Sequence, residues 1–310
     1  MKKIAIVGAG RVGESTAHNL AKHELCREIV LIDIKEGVPQ GTALDIQESA
    51  PIFDFDTKLR GSNSLEDLAD ADMVIMTAGV PRKQGMSRSD VLETNVTVAN
   101  GVVDAVVKHA PHALLLMVTN PVDVLTYAAW RRTGWSRHRV FGMAGVLDSA
   151  RMASFVAMET GFSVKDISAM VLGGHGDTMV PMTRFTTING IPVEHFLTRE
   201  QIDRIVERTR QGGAEILALR KTGSAYDAPA AAIASMVDAI SRNRKHILPA
   251  VAVLDGEYGL NDICMGVPVV FGEGGMERVI QLPMTAQEAD EFRRSSEHVR
   301  ADLAKLKLPS

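Results

Sequence analysis

The sequence predicts an α/β chain, a doubly wound parallel sheet followed by a smaller α+β lobe. Three observations carry this. In the first half, short apolar runs alternate with helical stretches, the pattern of parallel βαβ units with helices on both faces. The first run ends in Gly8-Ala9-Gly10-Arg11-Val12-Gly13, a glycine-rich turn that opens a helix. After about residue 145 the texture changes to shorter strands, a hairpin signal and amphipathic helices.

Ile4-Ala5-Ile6-Val7 reads as a buried strand, and residues 12–22 carry a helical pattern ending near Lys22. Ile29-Val30-Leu31-Ile32 is a second strand. Met73-Val74-Ile75-Met76, a helix over 89–109 and the strand Ala113-Leu114-Leu115-Leu116-Met117-Val118 continue the alternation, with Pro111 at a point where a helix cannot continue. A helix near 148–160 ends at Gly161. Ile167–Leu172 reads as one strand leading into a loop around His175. The alternating stretch from Val180 to Val193 contains Asn189-Gly190, a two-residue hairpin turn. Helices follow over 199–220 and 228–241. Two strands flank Asp255-Gly256-Glu257-Tyr258-Gly259, and a charged amphipathic helix begins near Ala286. We therefore expect two domains, residues 1–144 and 145–310, packed without a long linker.

Composition narrows the function. At 310 residues with 45% hydrophobic and 23% charged residues, the chain has the make-up of a globular protein with a sizeable core. A net charge of −4 argues against nucleic acid, whose binding needs a basic face. No run of about 18 apolar residues is present to span a bilayer, and the opening segment is too short for a secretion signal. Cys26 and Cys264 lie far apart, without metal-ligand spacing, and no His/Cys/Asp cluster has it either, so no metal is expected. Cytoplasmic residence in a reducing compartment is the expectation.

The glycine turn fits G-x-G-x-x-G. Gly8 permits the tight turn, Gly10 lets the backbone approach a pyrophosphate, and Gly13 allows close helix–strand packing, the fingerprint of a Rossmann dinucleotide-binding unit. The helix N-terminus then offers free N–H groups to phosphate. Asp33 ends the second strand 20 residues after Gly13. A carboxylate there accepts from ribose hydroxyls and repels a 2′-phosphate, so the expected cofactor is NAD rather than NADP. Thr77-Ala78-Gly79 and Val118-Thr119-Asn120 follow strands and should line the same crevice. By itself, Asn120 before Pro121 reads better as a helix cap.

The second lobe contributes Asp148-Ser149-Ala150-Arg151 and Gly173-Gly174-His175-Gly176-Asp177. These supply an imidazole, a carboxylate to orient it and a guanidinium able to grip an anionic substrate with two parallel hydrogen bonds. Taken singly, each has a plainer reading, as a loop histidine or a surface charge. In this order beside a cofactor turn, they point to proton and hydride transfer on a small carboxylic acid.

These residues resemble the lactate/malate dehydrogenase family, in its malate type, along nearly the full length. The most specific segments are Leu147–Arg151, Gly174–Asp177 and Gly79-Val80-Pro81-Arg82-Lys83-Gln84-Gly85-Met86-Ser87-Arg88. The resemblance implies that His175 is the proton carrier, that Asp148 fixes its tautomer and that Arg151 clamps the C1 carboxylate. It implies that Arg88, on a closing loop, polarises the carbonyl and that Asn120 orients the substrate oxygen. Asn95 joins Gly8, Ala9, Gly10, Arg11, Val12, Gly13, Asp33, Thr77, Ala78, Gly79, Val118, Thr119 and Asn120 as an expected cofactor-binding position. Arg82 stands where lactate-specific relatives are neutral. Against Arg82, Arg88, Arg151 and a protonated His175, a dicarboxylate (malate or oxaloacetate) balances charge better than pyruvate. Ala225 resembles the small residue opposite the substrate tail.

Two positions depart from the family pattern: Gln84 replaces a common proline, and Asp227 a common tyrosine. A homotetramer, or a homodimer that is half of one, and the (S)-hydroxy acid are implied by resemblance. Two other readings compete. One is a lactate or other 2-hydroxy acid dehydrogenase, and the other a non-catalytic NAD-binding protein, which would need neither His175, Asp148 nor Arg151.

Overall fold

A computed structural model describes residues 1–80, 88–221 and 223–306, with 88–90 as backbone only. In chain order the elements are β1 (Lys3–Val7), α1 (Arg11–Lys22), β2 (Glu28–Ile32), α2 (Val38–Glu48), α3 (Ala50–Phe53), β3 (Lys58–Ser62), β4 (Met73–Met76), α4 (Arg88–His109), β5 (Leu114–Met117), α5 (Val122–Thr133) and β6 (Val140–Gly142). The second half follows with α6 (Gly145–Thr160), β7 (Ile167–Ser168), β8 (Val171–Leu172), β9 (Val180–Pro181), β10 (Thr187–Ile188), β11 (Ile191–Pro192), α7 (Arg199–Arg220), α8 (Asp227–Ser241), β12 (His246–Asp255), β13 (Asn261–Gly272), β14 (Gly275–Val279) and α9 (Ala286–Leu303).

The main sheet has the order β14-β13-β12-β6-β5-β4-β1-β2-β3. The stretch from β3 to β6 is parallel throughout, with β1 paired to both β2 and β4. Chain progression therefore reverses between β1 and β4, and ligands in such sheets bind beyond the strand carboxyl ends at that point. The apolar runs are continuous because both faces are covered. On β1, Ile4 and Ile6 join the cluster under α1 and α8, whereas Ala5 and Val7 join the cluster under α4 and α5. The alternation of a strand places successive side chains on opposite faces.

Two expectations are corrected. The segment 167–172 is two strands, not one: β7 pairs with β10 and β8 with β9, in separate small sheets, so the chain switches sheets at Ala169-Met170. Likewise, 180–193 is broken by a 3₁₀ turn at Thr183–Phe185, although its hairpin turn at Asn189-Gly190 is present, with φ of 49° and 81°. The two lobes share one sheet. Val251 of β12 pairs antiparallel with Gly142 of β6, so β12–β14 extend the parallel sheet across the expected boundary at 144. Among the described residues, no helix is long and apolar enough to cross a membrane.

Candidate active site

The crevice begins at the carboxyl ends of β1, β4 and β5, where hydroxyl groups tie three loops together. Thr77 Oγ1 donates toward Val7 and Gly8 carbonyls at 3.1 and 3.0 Å, and Thr119 Oγ1 donates to Ala78 O at 2.7 Å. Asn95, 2% exposed, accepts from Val80 N at 2.7 Å and donates to Asn120 O at 2.8 Å. Its amide is engaged by the two loops it joins, so it shapes the crevice from beneath. Asn120 is exposed, and α5 has Pro121 at its N-cap without a side-chain cap, so the capping reading of Asn120 is not realised.

The glycine turn divides by function. Gly8 has φ of +108°, and a Cβ there would lie 2.6 Å from Ala78 N, while a Cβ on Gly13 would lie 1.8 Å from Gly8 O. These two positions are sealed by packing. Gly10, the N-cap of α1, has no side-chain cap and faces open space. Uncapped N–H groups at a helix start, approachable through a bare backbone, fit a diphosphate. Asp33 accepts from Ala9 N at 2.9 Å on one oxygen and from Lys35 N at 3.0 Å on the other. Each oxygen keeps a second lone pair, so the residues present fit an adenine dinucleotide with a free ribose diol.

Asp148 and Arg151 lie one turn apart on α6, and His175 follows β8. The Asp148 carboxylate, 2% exposed, is shared between two cations: Oδ2 lies 2.8 Å from His175 Nδ1, and Oδ1 accepts from Arg151 Nη1 at 3.0 Å. A donor at Nδ1 leaves Nε2 as the ring nitrogen facing outward chemistry. Burial alone would lower the His175 pKa, but the Asp148 charge and hydrogen bond, with the Asp123 charge behind them, outweigh it and raise the pKa above 6.5.

The His175 loop is held by three consecutive amides, each bonded to a different element. Gly173 N donates to Gly266 O of β13 at 2.9 Å, Gly174 N to Ser295 Oγ of α9 at 2.8 Å, and His175 N to Asp123 Oδ2 of α5 at 2.8 Å. Asp123 escaped the sequence reading. It is 5% exposed, its Oδ1 has no hydrogen-bond partner among the described residues, and burial pushes its pKa up to about 6 against the pull of the His175 amide and charge. Its position in the first turn of α5, two residues after Pro121, was the available signal.

Arg88 opens α4, but its side chain lies outside the described residues, as do Arg82 and Gln84 altogether. Asp227 begins α8 and lies 3.4 Å from Arg220 Nη2. Ala225 is half-buried before it.

Comparison with known proteins agrees with this geometry. The lactate/malate dehydrogenase NAD-binding domain matches residues 2–142, and the lactate/malate dehydrogenase alpha/beta C-terminal domain matches 145–308. The malate dehydrogenase of Thioalkalivibrio sulfidiphilus is 65% identical over 307 residues, covering 99% of this chain and 100% of that protein. The structure of malate dehydrogenase from Salinibacter ruber superposes with a TM-score of 0.94 at 44% identity, over 98% of this chain and 97% of that one. A lactate dehydrogenase from Cryptosporidium parvum, complexed with lactic acid and nicotinamide adenine dinucleotide, reaches 0.95 at 38% identity, over 100% and 99%. Two domain matches that tile the chain, and a relative of equal length at that identity, leave a single assignment: this chain belongs to the lactate/malate dehydrogenase family.

Proposed function

We infer that the chain is an NAD-dependent malate dehydrogenase, interconverting (S)-malate and oxaloacetate. The observation that carries the chemistry is the single buried carboxylate of Asp148 holding both the His175 imidazole and the Arg151 guanidinium.

In reduction, NADH bound in the cradle of Gly8 to Gly13 would supply the hydride to C2 of the keto acid. His175 Nε2–H donates its proton to the C2 oxygen, and the imidazole is left neutral with Nδ1–H still on Asp148. In oxidation, neutral His175 takes the hydroxyl proton, and Asp148 stabilises the imidazolium that forms. Arg151 binds the C1 carboxylate with two N–H groups, and Asn120 orients the substrate oxygen. Arg88 polarises the carbonyl, and Arg82 reaches the second carboxylate. An enclosed guanidinium left without that second carboxylate costs on the order of 2–5 kcal/mol, so pyruvate is disfavoured. Gly8 to Gly13, Thr77 to Gly79 and Val118 to Asn120 form the NAD cradle, with Asn95 bracing it and Asp33 selecting against a 2′-phosphate.

We place this activity within the tricarboxylic acid cycle, in the cytoplasm, where two free buried thiols are at home. We further propose a homotetramer or homodimer; exposed Ile52 and Leu44 on α3 and α2, 80% and 59% accessible, offer an apolar face for a second copy.

The test is the initial rate of NADH oxidation with oxaloacetate and with pyruvate, repeated with NADPH. A large preference for oxaloacetate with NADH is expected. Preference for pyruvate would transfer the chain to lactate chemistry, and absence of turnover with both would favour a binding protein. His175→Asn should abolish turnover yet leave NADH binding largely intact.

A further inference from the structure

Helix α7 presents a buried stripe of Ile202, Ile205, Thr209 and Gly212, the three- and four-residue spacing of a single helix face. Ile202 and Ile205 share an apolar cluster with Met152 and Val156 of α6. The Arg208 guanidinium of α7 lies 4.2 Å from the Phe155 ring centre on α6. One turn later on α7, and one turn earlier on α6, Gly212 meets Arg151. The two helices therefore pass antiparallel, and their register brings a bare backbone against the stem of that arginine.

The contact is close. A Cβ on Gly212 would stand 3.0 Å from Arg151 Cδ, 3.4 Å from Nε and 3.8 Å from Cγ. Arg151 has little freedom to yield: its side chain is 12% exposed, Nη1 is held by Asp148, and Nε is buried with no partner among the described residues. Nor can α7 readily retreat, because Arg208 and the Ile202–Ile205 face lock it to α6. Glycine is the poorest helix former after proline, so its place in the interior of α7 runs against local propensity. Gly213 beside it is different, since a Cβ there would reach only 3.9 Å from Arg151 Nη2, an ordinary contact.

We propose that Gly212 is a positioning residue for the substrate: its missing side chain sets the height and tilt of the Arg151 guanidinium. A two-point grip on a carboxylate depends on the plane of the fork, so a displaced stem weakens binding of the acid without removing the charge. This rests on Arg151 being the carboxylate clamp.

The experiment compares Gly212→Ala, Gly213→Ala, Arg151→Lys and the double variant Gly212→Ala/Arg151→Lys. Gly212→Ala should raise the KM for oxaloacetate by about tenfold, with kcat changed less and NADH affinity unchanged. Gly213→Ala should stay within about twofold of the parent, because its methyl meets only ordinary contacts. Adding Gly212→Ala to Arg151→Lys should cost little more, since the planar fork whose orientation the methyl would disturb is already gone. A parental KM in Gly212→Ala, or strictly additive losses in the double variant, overturns the proposal. If Gly212→Ala fails to fold, recovery of folding in an Arg151→Ala background, which removes the stem, supports the coupling, and its failure there overturns it. An unchanged KM in Arg151→Lys would instead dismiss the clamp itself, a result separable from the rest.

Discussion

His175 Nδ1 and Asp148 Oδ2 stand 2.8 Å apart although 27 positions separate them in the chain, and the same carboxylate grips Arg151 through its other oxygen. In the proposed mechanism Asp148 selects the tautomer that leaves Nε2 for the substrate. Asp148→Asn should lower kcat by roughly 10²–10⁴-fold, because the amide supports the wrong tautomer and no longer stabilises imidazolium. Steady-state kinetics with oxaloacetate checks this, and near-parental kcat would dismiss the pairing as a catalytic device.

The raised pKa of His175 sets the pH behaviour. With His175 as the proposed proton carrier, oxaloacetate reduction needs the protonated ring, so its kcat/KM should hold below the folded-state pKa and fall as pH rises through it, at a value above 6.5. Malate oxidation should rise through the same midpoint. The proton's contribution to stability has the same sign: it is fully present below the unfolded pKa and lost as pH climbs past the folded one. Removing the Asp148 charge should move both midpoints downward.

Asp123 behaves oppositely to an ordinary paired carboxylate. Its pKa is raised from 3.8 to about 6, so between these values the folded state holds a proton that the unfolded state has released. Stability from this group therefore falls as pH rises through that window, and above it the buried charge is a constant cost. Asp123→Asn keeps an acceptor for the His175 amide and removes the charge. The Tm difference between variant and parent should shift in the variant's favour by about 2–5 °C between pH 5 and pH 8. A pH-independent difference in calorimetry would count against it.

Arg137 donates from Nη1 and Nη2 to both Glu257 oxygens, at 3.0 and 2.8 Å, and Nη1 also reaches Val253 O. The pair ties the segment after α5 to the turn between β12 and β13. The Arg137 hydrogen bonds outweigh burial and hold the Glu257 pKa down at about 2. This stabilisation is present above the unfolded carboxyl value and lost as pH falls towards 2. Glu257→Gln should lose about 2 kcal/mol at pH 7 and converge with the parent near pH 2, as urea melts at the two pH values will show.

Arg82→Gln addresses the substrate. The variant should lose oxaloacetate preference over pyruvate by roughly ten- to a thousandfold, mainly through a raised oxaloacetate KM. Unaltered preference in a two-substrate comparison would remove Arg82 from the specificity assignment.

Much of this protein was legible in the sequence. The four apolar runs of the first half lie on β1, β2, β4 and β5, because a sheet buried on both faces leaves an unbroken apolar signature. The helices at 88–109, 199–220 and 227–241 match within a residue or so, since each has periodic apolar positions and distinct ends. What escaped were weak or short elements: α2, whose polar face is mixed, β3 with Lys58 and Arg60 at an edge, and the three residues of β6.

The site divides along the same physical line. Motif chemistry within one segment, as in Gly8 to Gly13 or Asp148 to Arg151, is local and can be read from spacing. Relationships across segments are not encoded in spacing: only folding brings Asp123 beneath His175, sets Gly212 against Arg151, and continues the Rossmann sheet into β12–β14. Those placements depend on which faces pack together and in what register, and long-range packing alone decides that.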